Sequence, residues 1–261
     1  MIQTRIENAQ VAFKEKNMDK LEASHTRPKI VHSLNEPHSR FSLSDVILGG
    51  QDGLVNVLGV ILGVAAASGE SRIIVAAGLA AAFAESVSMG AVAYTSTRAD
   101  SEHYESERKR EEWEIESNPE GERTEVREIY RRRGFSGKLL DDVVNHITTT
   151  KHVWIDVMMT EELKLAPVAK SAAGRAAIIV GISAIVGSLI PLAPFFFFTV
   201  GLSTMIALIF SALTLFVLGA YKAQVTVGHW YRSGLELAVI GLVSALIGYG
   251  IGLIFKAPVV P

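Results

Sequence analysis

Pairs of oxygen or sulfur donors recur in this chain at intervals of three or four residues. The pairs are Glu111 with Glu114, Glu122 with Glu125, and Met158 with Glu162. Residues at these intervals share one face of a helix. Three helices could therefore each direct two donors to a common point, as helix bundles do in carboxylate-bridged metal sites. Carboxylates suit divalent cations, and the thioether favours softer ions such as Fe²⁺ over Mg²⁺ and Ca²⁺.

The same residues have a simpler interpretation. The run ESERKREEWE, which contains Glu111 and Glu114, has enough Lys and Arg for a solvated helix with salt bridges along its surface. Met158 and Met159 could equally be packing residues. Spacing alone favours this solvated-surface interpretation over a metal site.

A second set of polar residues lies in segments that are otherwise apolar. Asp52 is followed four residues later by Asn56, and Glu85 is followed four residues later by Met89. Charged groups inside a bilayer destabilise the protein and tend to mark an ion pathway. The two acids, the amide and the thioether could line a path for a divalent cation, with protons exchanged at the carboxylates. The alternative is a hydrogen-bond network between helices with protonated acids.

These residues must be positioned by membrane helices. Residues 176–220 contain no Asp, Glu, Lys or Arg, and a single helix of that length would exceed twice the hydrocarbon thickness of about 30 Å. The segment must fold back, and we expect the reversal at Pro191 and Pro194. With about 20 residues needed per span, the sequence predicts five transmembrane helices, at about 46–67, 73–97, 176–195, 199–220 and 235–255.

The segment between the second and third spans is predicted to form a helical domain of its own. The second span continues into a charged helix that ends at Pro119, and helices follow at 122–133, after Ser136, and at 151–165. The predicted fold is thus an all-α polytopic membrane protein with an inserted helical domain. Its parts are an N-terminal extension (1–43), helices 1 and 2 (44–97), the insert (98–175) and helices 3 to 5 (176–261).

Charge distribution gives the orientation. If the N-terminus is cytoplasmic, residues 1–44, the insert and the 221–233 loop hold 23 of the 25 Lys and Arg residues. Only Arg72 and Lys256 would lie outside, as the positive-inside rule requires. The extension and the insert are therefore predicted to be cytoplasmic.

Composition excludes several classes of function. The absence of cysteine excludes disulfides, Cys-ligated zinc, iron–sulfur clusters and thiol catalysis. A net charge of -2 gives no support to a nucleic-acid partner, which requires a basic excess. Any metal must be held by carboxylates and methionine.

Three motifs resemble the vacuolar iron transporter family, which includes nodulin-21-like and yeast vacuolar iron/manganese transporter relatives. They are QDGLVN in the first span, AESVSMGAVAYTSTRADSEHYESERKREEWE across the second, and WIDVMMTEEL before the third. The resemblance runs from about Ser42 to Phe255 and includes the order of the five spans and the position of the insert.

The resemblance implies a homodimeric transporter, not an enzyme, that exports Fe²⁺, and often Mn²⁺, from the cytosol in exchange for protons. Zn²⁺ and Co²⁺ are further candidate ions, and no prosthetic group is expected. The family's path residues match Asp52 and Met89. Its cytoplasmic metal ligands match the donors of the insert, which reverses the preference for a solvated surface; those donors are Glu111, Glu114, Glu122, Glu125, Met158 and Glu162.

One position departs from the family pattern. Plant members carry a glutamate two turns before the methionine of the second span, where this chain has Ala81. The acid of this chain is Glu85, one turn before Met89.

The alternative function is a membrane-bound di-iron ferroxidase or oxidase. The expected location is the cell membrane of a prokaryote or the vacuolar membrane of a eukaryote.

Overall fold

The computed structural model describes Glu15, Met18 and Asp19 and then residues 43–225 and 228–256. The chain divides into two units, Met1–Ser42 and Leu43–Pro261. Most of the predicted N-terminal extension (1–43) therefore lies outside the described residues. Those described from Leu43 onward form helices and turns, with no strand.

Eight α-helices follow one another from Leu43. They are α1 (Leu43–Ser68), α2 (Ser71–Ser117), α3 (Pro119–Arg132), α4 (Gly137–Thr149), α5 (Lys151–Val157), α6 (Lys170–Leu192), α7 (Val200–Val225) and α8 (Trp230–Ile254). A π-helical turn, Met158–Glu162, continues α5, and a 3-10 turn, Ala193–Phe196, continues α6.

Five of the helices are long and apolar enough to cross a membrane, which confirms the predicted number of spans. The segments are Ser44–Ser68, Ser71–Ser117, Lys170–Phe196, Val200–Gln224 and Trp230–Ile254. We call these apolar segments together the membrane body. Helices α1 and α6 are central in it, because α1 packs against α6 and α8, and α2 packs against α6. Large apolar side chains on α7 and α8 point outward, as expected for a surface that faces lipid.

The turn between α1 and α2 needs only Gly69 and Glu70. Gly69 has a φ of 65°, a left-handed conformation that suits glycine at the end of a helix. Its N–H donates to the Ala65 carbonyl at 3.1 Å. This short turn sets α1 and α2 side by side, so that residues of the two helices can face each other.

The reversal after the third span differs from the prediction. Pro191 lies inside α6, and Pro194 lies in the first turn of the 3-10 helix that follows, so neither residue makes the reversal. The chain turns after the 3-10 helix, around Thr199, where the Ser203 hydroxyl donates to the Pro194 carbonyl at 3.0 Å. Proline is tolerated in the first turn of a helix, which explains why Pro194 continues the structure rather than ending it.

The helices of the insert pack around an apolar cluster outside the membrane body. Val126, Val144 and Trp154 come from three different helices, and Met158 and Met159 of the π-helical turn complete its centre. The predicted fourth helix (151–165) is partly wrong, because its α-helical hydrogen bonding ends at Val157. The π-helical turn rotates the two methionines into the cluster, where both are fully buried.

Candidate metal site and membrane path

Helix α2 carries both sets of candidate residues. It has 47 residues, or about 70 Å at 1.5 Å per residue, while a bilayer core is about 30 Å thick. Its apolar first half contains Glu85 and Met89, and its charged second half projects beyond the membrane body with Glu111 and Glu114. One helix therefore connects the two regions.

The junction between α2 and α3 brings two acidic pairs together. Asn118 ends α2 and caps α3, and its side-chain oxygen accepts a hydrogen bond from the Gly121 N–H at 3.3 Å. Pro119 occupies the first turn of α3, where its missing N–H leaves no bond unmade. This reversal turns Glu122 back towards Glu111.

Three glutamates meet at this corner. One carboxylate oxygen from each of Glu111, Glu114 and Glu122 lies within 4.8 Å of the others. Glu111 is 1% exposed and Glu122 is 6% exposed. Both oxygens of Glu111 and one of Glu122 lack a hydrogen-bond partner among the described residues. Buried carboxylates without donors are destabilising unless a cation compensates them, so the corner fits a divalent ion.

Two further acids lie beside the three. Burial, together with the charges of Glu125, Glu111, Glu114 and Glu162, raises the pKa of Glu122 to about 7. The two further acids are Glu125 and Glu162. We call the five acids together the carboxylate cluster: Glu111, Glu114, Glu122, Glu125 and Glu162. Glu125 is exposed at its edge.

Glu162 also has a raised pKa. Its pKa is raised to about 7, first by partial desolvation and then by Glu125 and Glu111, although part of its side chain reaches the surface. Since Glu162 stands in the π-helical turn, three separate segments contribute acids to the cluster.

Met158 lies in the same π-helical turn as Glu162 but is fully buried in the apolar cluster of the insert. Met159 is buried there to the same extent. The sequence pattern left both methionines open as packing residues, and the structure buries both of them. π-Helical turns are often found at functional sites.

Arg110 is a member of this site that the sequence analysis missed. Its Nη2 atom lies 2.9 Å from Glu107 Oε2 and 3.0 Å from Glu111 Oε1, and its Nη1 atom lies 2.9 Å from Glu114 Oε2. The solvated-surface interpretation had assigned the arginines of this run to surface pairs. Only the burial of Glu111, which depends on the packing of the insert, sets Arg110 apart from them.

In the membrane body, the structure brings Glu85 of α2 next to Asp52 and Asn56 of α1. Glu85 is 8% exposed, and neither of its oxygens has a hydrogen-bond partner of good geometry among the described residues. Asp52 and Asn56 are exposed on the outer face of the single chain. An exposed carboxylate on a membrane helix is costly if it faces lipid.

Met89 lies one turn further along α2 and is half-buried. It lines a cavity of about 160 Å³ together with Asp45, Leu48, Ser96 and Thr97. Nothing in the sequence pattern connects Asp45 with Met89. Their proximity follows from the packing of α1 against α2, which one sequence does not reveal.

Close packing holds the path residues in place. A Cβ atom at Gly53, next to Asp52, would overlap the Ala184 carbonyl of α6. Next to Glu85, the Ser86 hydroxyl donates to the Gly181 carbonyl of α6 at 2.8 Å. Helix α6 therefore fixes α1 and α2 at the level of the two acids, a role that the sequence analysis did not foresee.

Small residues form another close contact, between α1 and α8. Gly59 and Gly63 lie against Gly248 and Gly252 so closely that a Cβ atom at Gly252 would overlap the Gly63 carbonyl. The contact is thus within one chain. Beside it, an open groove of about 460 Å³ runs from Asn56 to Phe255 on the outer face.

Comparisons with known proteins point to one family. The sequence profile of the VIT family matches residues 43–253. Vacuolar iron transporter 1 of Tulipa gesneriana is 32% identical over 206 residues, which cover 78% of this chain and 83% of that protein. Vacuolar iron transporter 1 of Arabidopsis thaliana is 32% identical over 202 residues, 77% of this chain and 81% of that protein. The vacuolar iron transporter of Plasmodium berghei is 28% identical over 264 residues, 97% of each chain.

Proposed function

The chain belongs to the VIT family, and from this premise we propose that it is a membrane iron transporter that exports Fe²⁺ from the cytosol in exchange for protons. Its relatives are named for iron transport, and its five apolar helices suit a multi-pass membrane protein. Mn²⁺, Zn²⁺ and Co²⁺ are proposed as competing cargo, because the same oxygen and sulfur donors accept them. No prosthetic group is needed.

The observation that carries the proposal is the buried carboxylate cluster at the end of the helix that also forms the membrane path. Glu111 and Glu122 are buried without hydrogen-bond donors, and Glu85 has the same property within the membrane body. A protein that only displayed charge on its surface would leave these oxygens in water. We infer that both regions exist to hold a cation.

In this mechanism the carboxylate cluster captures the ion and the membrane residues conduct it. Glu111, Glu114, Glu122, Glu125 and Glu162 supply oxygens, and Met158 is assigned as a sulfur ligand. The ion then passes Met89, Glu85, Asn56 and Asp52. Each carboxylate that releases the ion is free to bind a proton, which gives the exchange a chemical basis.

The proposed orientation places residues 98–175 in the cytosol as the metal-binding domain. It rests on the basic residues of the insert and of the 221–233 loop, which the positive-inside rule assigns to the cytoplasmic side. The membrane would be the cell membrane in a prokaryote and the vacuolar membrane in a eukaryote.

We propose that a second copy of the chain covers the outer face of α1. Asp52 and Asn56 are exposed there, next to the open groove between α1 and α8. Against lipid, an uncovered carboxylate would be strongly destabilising. A homodimer formed on this face would enclose both residues and complete the path.

Anaerobic proteoliposomes test the function directly. Wild-type protein should move Fe²⁺ and drive protons the opposite way, with Mn²⁺, Zn²⁺ and Co²⁺ as competitors at two pH gradients. Asp52→Ala and Met89→Ala should abolish both fluxes, while Met205→Ala, a lipid-exposed methionine of α7, should leave them intact. Unchanged flux in the first two variants would exclude the proposed path.

The di-iron oxidase remains the competing function. Such sites in helix bundles combine glutamates with histidines of Glu-x-x-His motifs. The carboxylate group that the structure assembles among the described residues contains glutamates and no histidine. Fe²⁺-dependent oxygen consumption by the purified protein would favour the oxidase, and its absence together with flux would favour the transporter.

A further inference from the structure

Arg110 is the one cation that reaches into the carboxylate cluster among the described residues. Its Nε donates to Glu107 Oε2 at 2.9 Å, and its Nη1 donates to the two oxygens of Glu114 at 3.1 and 2.9 Å. Its Nη2 lies 3.0 Å from Glu111 Oε1. One guanidinium therefore contacts three acids, of which Glu111 and Glu114 belong to the cluster.

The contacts with the two cluster acids are unequal. Glu114 is held by hydrogen bonds of normal length. Glu111 is paired by charge alone, since both of its oxygens lack a hydrogen-bond partner in the described part of the chain. The guanidinium thus reduces the repulsion between the acids without satisfying the buried carboxylate. It leaves Glu111 able to accept a better cation.

We propose that Arg110 is an internal countercation that occupies the carboxylate cluster when no metal is bound and that a divalent ion displaces. This inference rests on the proposed function, because it requires the cluster to bind metal. When no divalent ion is bound, Arg110 reduces the repulsion between Glu111 and Glu114. The entering ion must then break the ion pairs that Arg110 makes.

This exchange discriminates by charge. A monovalent ion would replace one positive charge by another and would lose the hydrogen bonds of the guanidinium. A divalent ion brings two charges to the same oxygens and is favoured over the arginine. Glu107 lies outside the cluster and remains as a place where the displaced guanidinium can bind, since it already accepts from Nε. Arg110 is in this sense a specificity-determining residue and not a ligand.

The first experiment measures Mn²⁺ affinity of the full-length protein in detergent, by electron paramagnetic resonance of the free ion. Arg110→Gln removes the competitor, so its affinity should rise by about threefold to tenfold, the range expected for charged hydrogen bonds that are partly exposed. Arg108→Gln is the matched control, because Arg108 is exposed on the same helix and makes no ion pair with the described residues. Its affinity should change less than about twofold.

The second experiment separates a countercation from an ordinary structural arginine. Arg110→Gln should lower the melting temperature of the metal-free protein and leave that of the Mn²⁺-saturated protein close to wild type. A structural role would lower both. Arg110→Lys keeps the charge but loses the forked geometry, so its affinity should lie between wild type and Arg110→Gln.

The outcomes distinguish failure of metal binding by the cluster from failure of the countercation role of Arg110. If the wild-type protein does not bind Mn²⁺, the proposed function of the cluster fails. If it binds and Arg110→Gln binds equally or more weakly, only the countercation is overturned. Should Arg110→Gln not fold, Arg110→Lys decides the question, because an affinity no higher than wild type would contradict displacement.

Discussion

The carboxylate cluster and the membrane acids both contain buried carboxylates, but the two regions differ in how their negative charge is compensated. The cluster gathers five acids from three segments of one chain and holds Arg110 against two of them. The membrane set has only Asp52 and Glu85, and no Lys or Arg lies in the predicted spans. The cluster therefore has a countercharge from its own helix, whereas the membrane set has none and leaves Asp52 exposed.

This difference indicates which region suits ion binding and which suits ion passage. A site with its own countercharge can remain empty and folded, which suits capture. A path without a countercharge is stable only when an ion, a proton or a second copy compensates its acids, which suits passage. The following changes should break or sharpen the contrast.

The largest effect is expected in the cluster. The double variant Glu111→Gln and Glu114→Gln removes two ligand oxygens that face the site, and we expect at least about a 100-fold loss of Mn²⁺ affinity. The matched control is Glu112→Gln with Glu116→Gln, because these acids share the helix but pair with Lys151 instead. Titration of the full-length protein checks both. Full binding in the first double variant would restore the solvated-surface interpretation.

In the membrane set, Glu85→Gln should separate transport from capture. It removes the charge but keeps the size, so Fe²⁺ flux into liposomes should fall about 10- to 100-fold. Mn²⁺ affinity of the cluster should stay unchanged, because the cluster lies far along α2. Glu236→Gln, an exposed acid of α8, is the control and should transport normally. Equal flux in the two variants would mean that Glu85 is structural.

Lower pH should stabilise the metal-free protein but weaken its binding of metal. Burial raises the pKa of Glu122 from 4.5 to about 7, so between these pH values the folded protein holds a proton that the unfolded chain releases. The metal-free protein should therefore gain about 1–3 kcal/mol in free energy of unfolding as pH falls from 7 to 4.5. Metal affinity should fall over the same range, since bound ions require ionised carboxylates.

Thermal melts with and without Mn²⁺, recorded across that pH range, check both effects. Glu122→Gln removes the titrating group and should flatten the pH dependence of the metal-free protein. A metal-free protein that loses stability between pH 7 and pH 4.5 would contradict the assigned burial.

The smallest effect is expected for an arginine outside the cluster. Arg127 lies 2.7 Å from Asp141, and both side chains are about half exposed. Arg127→Ala should lower the free energy of unfolding by less than about 1 kcal/mol. Mn²⁺ affinity should be unchanged, in contrast with Arg110→Gln. A comparable gain in affinity in Arg127→Ala would show that overall charge, and not the place of Arg110, controls binding.

Much of this architecture is predictable from sequence because it depends on local pattern. The five spans follow from apolar length, and the break at Pro119 follows from the loss of a backbone donor. The convergence of Glu111 and Glu122 was anticipated by their spacing once the family resemblance was recognised. Metal binding by these residues stays a prediction, because their positions alone do not test it.

Other features depend on contacts between distant segments. Glu111, which Arg110 contacts, becomes buried only when α3 and the π-helical turn pack against α2. The cavity that Met89 shares with Asp45 and the contact of Gly53 with Ala184 have the same origin. The reversal expected at Pro191 is wrong because this proline is accommodated near the end of α6, which continues to Leu192.

The uninterrupted length of α2 has a mechanical consequence. From residue 91 to residue 117 the helix contains neither glycine nor proline, the usual positions of a kink. Met89 and Glu111 are 22 residues apart on α2, or about 33 Å, and Gly90 is the one glycine between them. Beyond Gly90 the helix therefore offers no usual kink position, and under the proposed function an ion held at Glu111 has to move along this distance to reach Met89.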